Sequence, residues 1–283
     1  MTETTNATDL PEAAEGAHLA MQNDMTYGDF LQLDKLLDAQ MTISGHHDEL
    51  LFIIQHQTTE LWLKLAIHEL TAARDHLLAD ELAPAEKMMA RVARIFTQIN
   101  QAWEVLATMT PSEYLEFRPS LGKSSGFQSF QYRALEFLMG NKSAAMMEPH
   151  RHKNQIFNWL MQILESPSIY DAAQGILVRR GLAIDAEHLN RDKTQKYQAN
   201  ASVEAAWAAV YRDREQYWDL YHLAEKLVDF EHAFRLWRFS HMTTVSRIIG
   251  YRRGTGGTSG VNYLEAMLKV RLFPELWDVR TSL

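Results

Sequence analysis

From Asp48 to about Ala79, apolar residues recur at helical spacing: Leu51, Ile54, Leu61 and Leu65, with Trp62 and Leu70 beside them. Such spacing predicts a long helix. A second helix is expected from about Pro84 to Thr108, where a proline in the first turn is well placed. The run from Pro111 to Arg118 predicts a short helix closed by Pro119. Further helices are expected over Gly126–Leu138, Asn154–Leu164 and Ser168–Arg180. From about Val203 to Ile249 the pattern predicts one very long helix or two nearly continuous ones. No glycine occurs between His46 and Leu121, and neither glycine nor proline between Leu182 and Ile249. Both residues punctuate helix interiors, so these gaps fit long helices. Clear alternating runs bounded by hairpin turns are missing, as are internal repeats and low-complexity linkers. The expected fold is all-α: a single large helical domain over residues 25–283. The first 24 residues are polar and acidic and are expected to form a disordered arm.

Composition narrows the possibilities. The chain has 283 residues, 46% of them hydrophobic and 23% charged, enough to bury a sizeable core. A net charge of −8 argues against a nucleic-acid surface. Zero cysteines exclude disulfides, iron–sulfur clusters, cysteine zinc sites, thiol nucleophiles and thiolate-ligated haem. The N-terminal segment lacks the basic start and apolar core of a secretory signal, and no apolar run approaches bilayer length. A soluble, cytoplasmic protein with no nucleic-acid or membrane partner is expected.

Two irregular segments interrupt the helices: Gly122–Gly126, and Arg252–Gly260. Binding residues concentrate in loops held by rigid elements. The second segment fails as a phosphate loop. It has no Gly-Lys-Ser/Thr, Ser259 stands at the third position of Gly-x-Gly-x-x-Gly, and it follows a helix where those motifs want a strand. It reads either as a surface turn capping the long helix or as a loop in which Thr255, with flanking glycines freeing backbone amides, holds a small polar group. Tyr114 and Arg118, four apart, share a helical face and suit a carboxylate; a surface arginine packing on a tyrosine fits the same pattern.

Two histidines complete the candidate chemistry. His56 has Phe52 one turn before it and Glu60 one turn after; His241 follows Trp237 by four and Arg238 by three. Two histidines on long apolar helices suit a buried haem, one ligating iron and one facing the bound gas or substrate, with nearby arginines meeting the propionates. Taken alone, each histidine is more often a satisfied core residue. A di-iron bundle site fails on spacing, because no Glu-x-x-His pair exists. His46-His47-Asp48-Glu49 is dense in ligand types, yet consecutive helical residues diverge, so it reads as a helix start.

Several of these segments together resemble a known family. They are Thr26–Leu31, His46–Gln57, Glu60–Trp62, Pro111–Tyr114, Ser124–Ser129, Leu236–Met242, Arg253–Gly260 and Phe273–Thr281. In that order they are similar to the tryptophan 2,3-dioxygenases, from about Met25 to the C-terminus. The match is weakest between Asn141 and Ala201. The resemblance implies an all-helical homotetramer, a dimer of dimers, with long antiparallel helices around a buried haem b pocket, one haem per subunit. It also implies insertion of both atoms of O2 across the indole C2–C3 bond of L-tryptophan. The product would be N-formyl-L-kynurenine, opening tryptophan degradation by the kynurenine route.

By the same resemblance His241 is the iron ligand and His56 the distal histidine that accepts the indole N–H. Arg118 and Tyr114 contact the substrate carboxylate, Thr255 holds the amino-acid end, and Phe52 walls the indole. Tyr27 and Leu31 are pocket residues supplied by a neighbouring subunit, while Trp103 and Ser125 line the haem pocket. Phe30 departs from the tyrosine that many relatives carry, and Lys123 occupies a variable place. The rival readings are a helical haem-binding or sensor protein without turnover, and an indole-oxidising haem enzyme of broader scope. Arg118, Tyr114 and Thr255 argue against the broader enzyme, because they serve an amino acid's polar end.

Overall fold

The computed structural model describes Gly16 and residues 24–283. Apart from Gly16 and Asp24, the expected N-terminal arm lies outside the described residues. The chain divides into two units between Ile43 and Ser44. Among the described residues there are helices and turns but no strand, so the all-α expectation holds.

The N-terminal unit carries α1 (Tyr27–Leu31) and α2 (Leu33–Leu37). Thr26 and Asp29 form a reciprocal cap at the start of α1: the Thr26 hydroxyl oxygen accepts from Asp29 N, and the Asp29 carboxylate accepts from Thr26 N. Gln32, with φ of 53°, ends one helix and begins the next. Tyr27, Phe30, Leu37, Met41 and Ile43 are all exposed, and no hydrophobic side chain among the described residues of this unit is buried.

The second unit is built on three long helices: α3 (Asp48–Leu78), α4 (Leu82–Leu106) and, later in the chain, one over Trp218–Ile249. Between them come α5 (Pro111–Phe117), 3-10 turns over Arg118–Leu121 and Gly126–Gln128, and α6 (Phe130–Leu138). A 3-10 turn over Ala144–His150, α7 (Asn154–Glu165), α8 (Ile169–Arg179), α9 (Ala186–Leu189) and α10 (Ala201–Arg212) follow. The long helix is then α11, and α12 (Val261–Leu268) and α13 (Pro274–Ser282) close the chain. α4 packs between α3 and α11, and α5 touches both α3 and α11.

The spacing identified α3 without identifying its buried stripe. The inner face is Leu63, Ala66, Ile67, Leu70, Ala73 and Leu77, whereas Ile54, Leu61 and Trp62 are exposed. The first half of α3 is apolar on more than one side, so periodicity alone cannot select the inward one. The stretch after Val203 is two helices. Asp213 makes the break, its side chain accepting from Gln216 N at 3.1 Å, a turn that needs neither glycine nor proline. The expected helix over Gly126–Leu138 is split, because Ser129 caps α6 by accepting from Tyr132 N. Two short helices after Ile249 were not anticipated.

Candidate active site

α3 and α5 build an aromatic wall around one histidine. Phe52 and His56 are one turn apart, with ring centroids separated by 4.1 Å. Phe52 also meets Tyr114 at 5.9 Å and Phe117 at 5.5 Å. The Nδ1–H of His56 donates to the Phe52 carbonyl at 2.7 Å. A carbonyl only accepts, so this bond assigns the tautomer and leaves Nε2 with a lone pair. Burial lowers the His56 pKa, opposed by the Phe52 bond and the Glu60 charge, so the ring is neutral at pH 7. Glu60 is itself held by Gln131, whose amide donates to both its carbonyl and its carboxylate at 2.8 Å.

The second histidine sits among indoles. The ring of His241 stacks on Trp103 of α4 at 4.9 Å, and Trp237, one turn back on α11, lies 5.6 Å away. Burial, reinforced by the charge of His56, pushes the His241 imidazole down to about 4. Each ring nitrogen pair is therefore uncharged, and the two histidines are near enough to feel each other. The Nε1 atoms of Trp103 and Trp237 are buried with no partner among the described residues.

Loops supply the polar end. Arg118 begins the 3-10 turn after α5 and donates from Nη2 to the Arg253 carbonyl at 2.6 Å. Its Nε is buried without a partner among the described residues. Burial raises the Tyr114 phenol, and Arg118 close by opposes that rise. The Thr255 hydroxyl donates to the Ser124 carbonyl at 2.5 Å. A cleft of about 420 Å³ lies here, lined by Leu115, Arg118, Pro119, Gly122, Arg253, Gly254 and Thr255. A larger polar cleft of about 580 Å³ around Asp185, Arg191 and Asn200 includes none of the expected site residues.

The family model for tryptophan 2,3-dioxygenase matches residues 12–283. The chain belongs to this family. It is 59% identical over 280 residues to the tryptophan 2,3-dioxygenase of Polaromonas sp. (strain JS666), covering 98% of this chain and 95% of the relative. Against that of Bradyrhizobium sp. (strain ORS 278) the identity is 58% over 271 residues, or 96% and 97% of the two chains. Against that of Ralstonia pickettii (strain 12J) it is 57% over 277 residues, or 96% and 100%.

Of the residues singled out by resemblance to the tryptophan 2,3-dioxygenases, the fold joins Phe52, His56 and Tyr114 in one wall. It stacks Trp103 on His241, and sets Arg118, Thr255 and Ser125 along two facing loops. Tyr27 and Leu31 lie on the separate N-terminal unit, both exposed. Three sequence readings need correction. Arg238 is not available to a propionate: it is buried and donates to Glu136, Tyr132 and the Met267 carbonyl. Nor is the Gly254 amide beside Thr255 free, since it donates to Thr258 O at 3.2 Å. The long helix is capped by Gly250, whose N–H donates to Ser246 O, and not by the glycine-rich loop.

Gly256 was missed as a site residue. A Cβ there would lie 2.7 Å from Ser125 Cβ, so only glycine lets the two loops meet. Its sequence signal was its place beside Thr255. Phe117 was also missed, although it lies three after Tyr114 on the same helix.

Proposed function

We propose that this protein is a haem-dependent tryptophan 2,3-dioxygenase, adding both atoms of O2 across the indole C2–C3 bond of L-tryptophan to give N-formyl-L-kynurenine. The observation that carries this reading is the pairing of a neutral His241 against Trp103 with a His56 whose tautomer is fixed by Phe52. The residues present fit a haem. An uncharged imidazole among indoles is a suitable iron donor, and two buried indole N–H groups beside it lack acceptors among the described residues. His241 would hold the iron, with Trp103 and Ser125 lining the haem pocket. Haem b, when bound, supplies the ferrous iron that activates dioxygen.

The protein's own part is positioning. Neutral His56 offers Nε2 to the indole N–H, which is far too weak an acid for an imidazole to deprotonate; the histidine therefore orients the ring. Phe52 packs against the indole. Arg118, with Nε unpartnered, grips the carboxylate beside Tyr114. Because the Thr255 proton is already given to Ser124 O, its oxygen offers lone pairs, which suit the substrate ammonium.

Residues 25–283 act as one catalytic domain in a cytoplasmic homotetramer, with Tyr27 and Leu31 completing a neighbour's pocket. The exposure of both side chains supports that arrangement. No helix among the described residues is long and apolar enough to cross a membrane. Aerobic turnover of L-tryptophan by reduced, haem-loaded protein, followed by N-formylkynurenine absorbance, tests the activity. Confirmed haem loading without product would leave a haem-binding helical protein.

A further inference from the structure

Beneath Trp237 lies a buried ionic cluster that the chemistry above does not use. Glu136 of α6 is fully buried and accepts from both Arg133 and Arg238, which are 4% and 3% exposed. Asn141 adds a further donor at 2.9 Å. One carboxylate thus faces two guanidiniums, and burial keeps the neighbouring Tyr132 phenol neutral. A buried excess charge is expensive to desolvate, and Arg133 alone would neutralise Glu136. The second arginine therefore calls for a role other than charge balance.

Its donors suggest one. From α11, three residues before His241, Arg238 reaches Tyr132 Oη at 3.2 Å, Glu136 Oε1 at 2.7 Å and the Met267 carbonyl at 3.1 Å. The Met267 carbonyl, in the last turn of α12, accepts from Val270 N at 3.3 Å as well as from Arg238, whose charge suits a helix C-terminus. α12 begins where the glycine loop ends. Gly260, with φ of 63°, has no room for a Cβ, which would meet Arg252 O at 2.5 Å, so the two ends of the loop are pinned together. That loop presents Arg253 O to Arg118 and carries Thr255. Tyr263 of α12 also packs on Phe127 of the facing loop at 5.9 Å.

We propose that Arg238 is a positioning residue: it fixes the loop that receives the substrate's amino-acid end at a set distance from the helix of His241. The proposal rests on the dioxygenase reading above. The test uses haem-loaded Arg238→Lys and Arg238→Met, measuring haem loading, kcat and KM for L-tryptophan, and amide hydrogen exchange over residues 252–260 without substrate. Loss of the bridge should raise KM by about tenfold in the Met variant, with a smaller change in kcat, and should speed loop exchange. The Lys variant, keeping the charge but not the fork, should fall between. If Arg238→Met loses haem, the Lys variant decides by the same two readouts. Lowered thermal stability with unchanged KM and unchanged loop exchange in the Lys variant would overturn the proposal. Loop exchange is read without turnover, so wild-type protein that makes no product defeats the dioxygenase reading separately.

Discussion

The imidazole of His241 lies nearly parallel to the indole of Trp103, their planes 11° apart and centroids separated by 4.9 Å. The two residues come from α11 and α4, helices packed along their length, so the stack depends on tertiary packing. It holds the imidazole plane from one side while Trp237 approaches from another.

Trp103→Ala should therefore loosen the histidine and open a cavity in a residue that is only 7% exposed. Truncations of this size destabilise by about 3–5 kcal/mol. Trp103→Phe keeps a ring against His241 and should retain haem, whereas the alanine variant should release it more readily. Haem titration with thermal unfolding checks both. Equal haem retention by the two variants would show that the stack does not orient His241.

His56 sets a pH dependence with a definite sign. Its pKa is lowered from 6.5 by burial, so the acceptor form persists below the pH at which an ordinary histidine would charge. kcat/KM for L-tryptophan should stay flat from pH 8 down through 6.5 and fall only at lower pH, as Nε2 is protonated. His56→Ala should keep haem, lower turnover by about tenfold to a hundredfold, and lose this acid limb. An acid limb unchanged in His56→Ala would assign the titration to another group.

The contact of Gly256 with Ser125 makes a reciprocal test. Gly256→Ala places a methyl 2.7 Å from Ser125 Cβ, and the loops must separate. That shift would carry Thr255 off Ser124 O and raise KM for L-tryptophan with little change in haem loading. Ser125→Gly on the alanine background removes the opposing atoms and should recover part of the loss. Failure of the double variant to improve on Gly256→Ala alone would mean that the strain arises elsewhere.

Long helices were legible because α3 and α4 contain no glycine, and an apolar spacing survives even where several faces are apolar. What escaped was tertiary. Nothing near Arg238 in sequence announces Glu136, a hundred residues away, so an arginine beside a candidate iron ligand read as a propionate partner. The Gly254 amide beside Thr255 read as free because its loop-internal bond to Thr258 O depends on the turn actually formed. The individual histidines were ambiguous for the same reason: their neutrality comes chiefly from burial, and only the ordered set of family-like segments singled them out.

The last element also depends on a distant carboxylate. Glu231 of α11 is fully buried and accepts from Leu272 N at 2.8 Å, Phe273 N at 3.0 Å and Trp277 Nε1 at 2.8 Å. α13 has no side-chain cap of its own, so Glu231 satisfies the donors at its entry from another helix. Glu231→Ala would strand three donors, each worth about 1–3 kcal/mol when buried unpaired. Allowing for partial hydration of the space left behind, the loss should be about 3–5 kcal/mol in urea unfolding. Glu231→Gln keeps one acceptor oxygen but turns an NH2 toward N–H donors, so it should fall between alanine and wild type. The same helix carries His241 ten residues on, so haem retention should decline in the same order, while KM in the haem-loaded fraction stays unchanged. A stability loss below about 1 kcal/mol for the alanine variant would mean that solvent already satisfies these donors and that α13 is held by its apolar face alone.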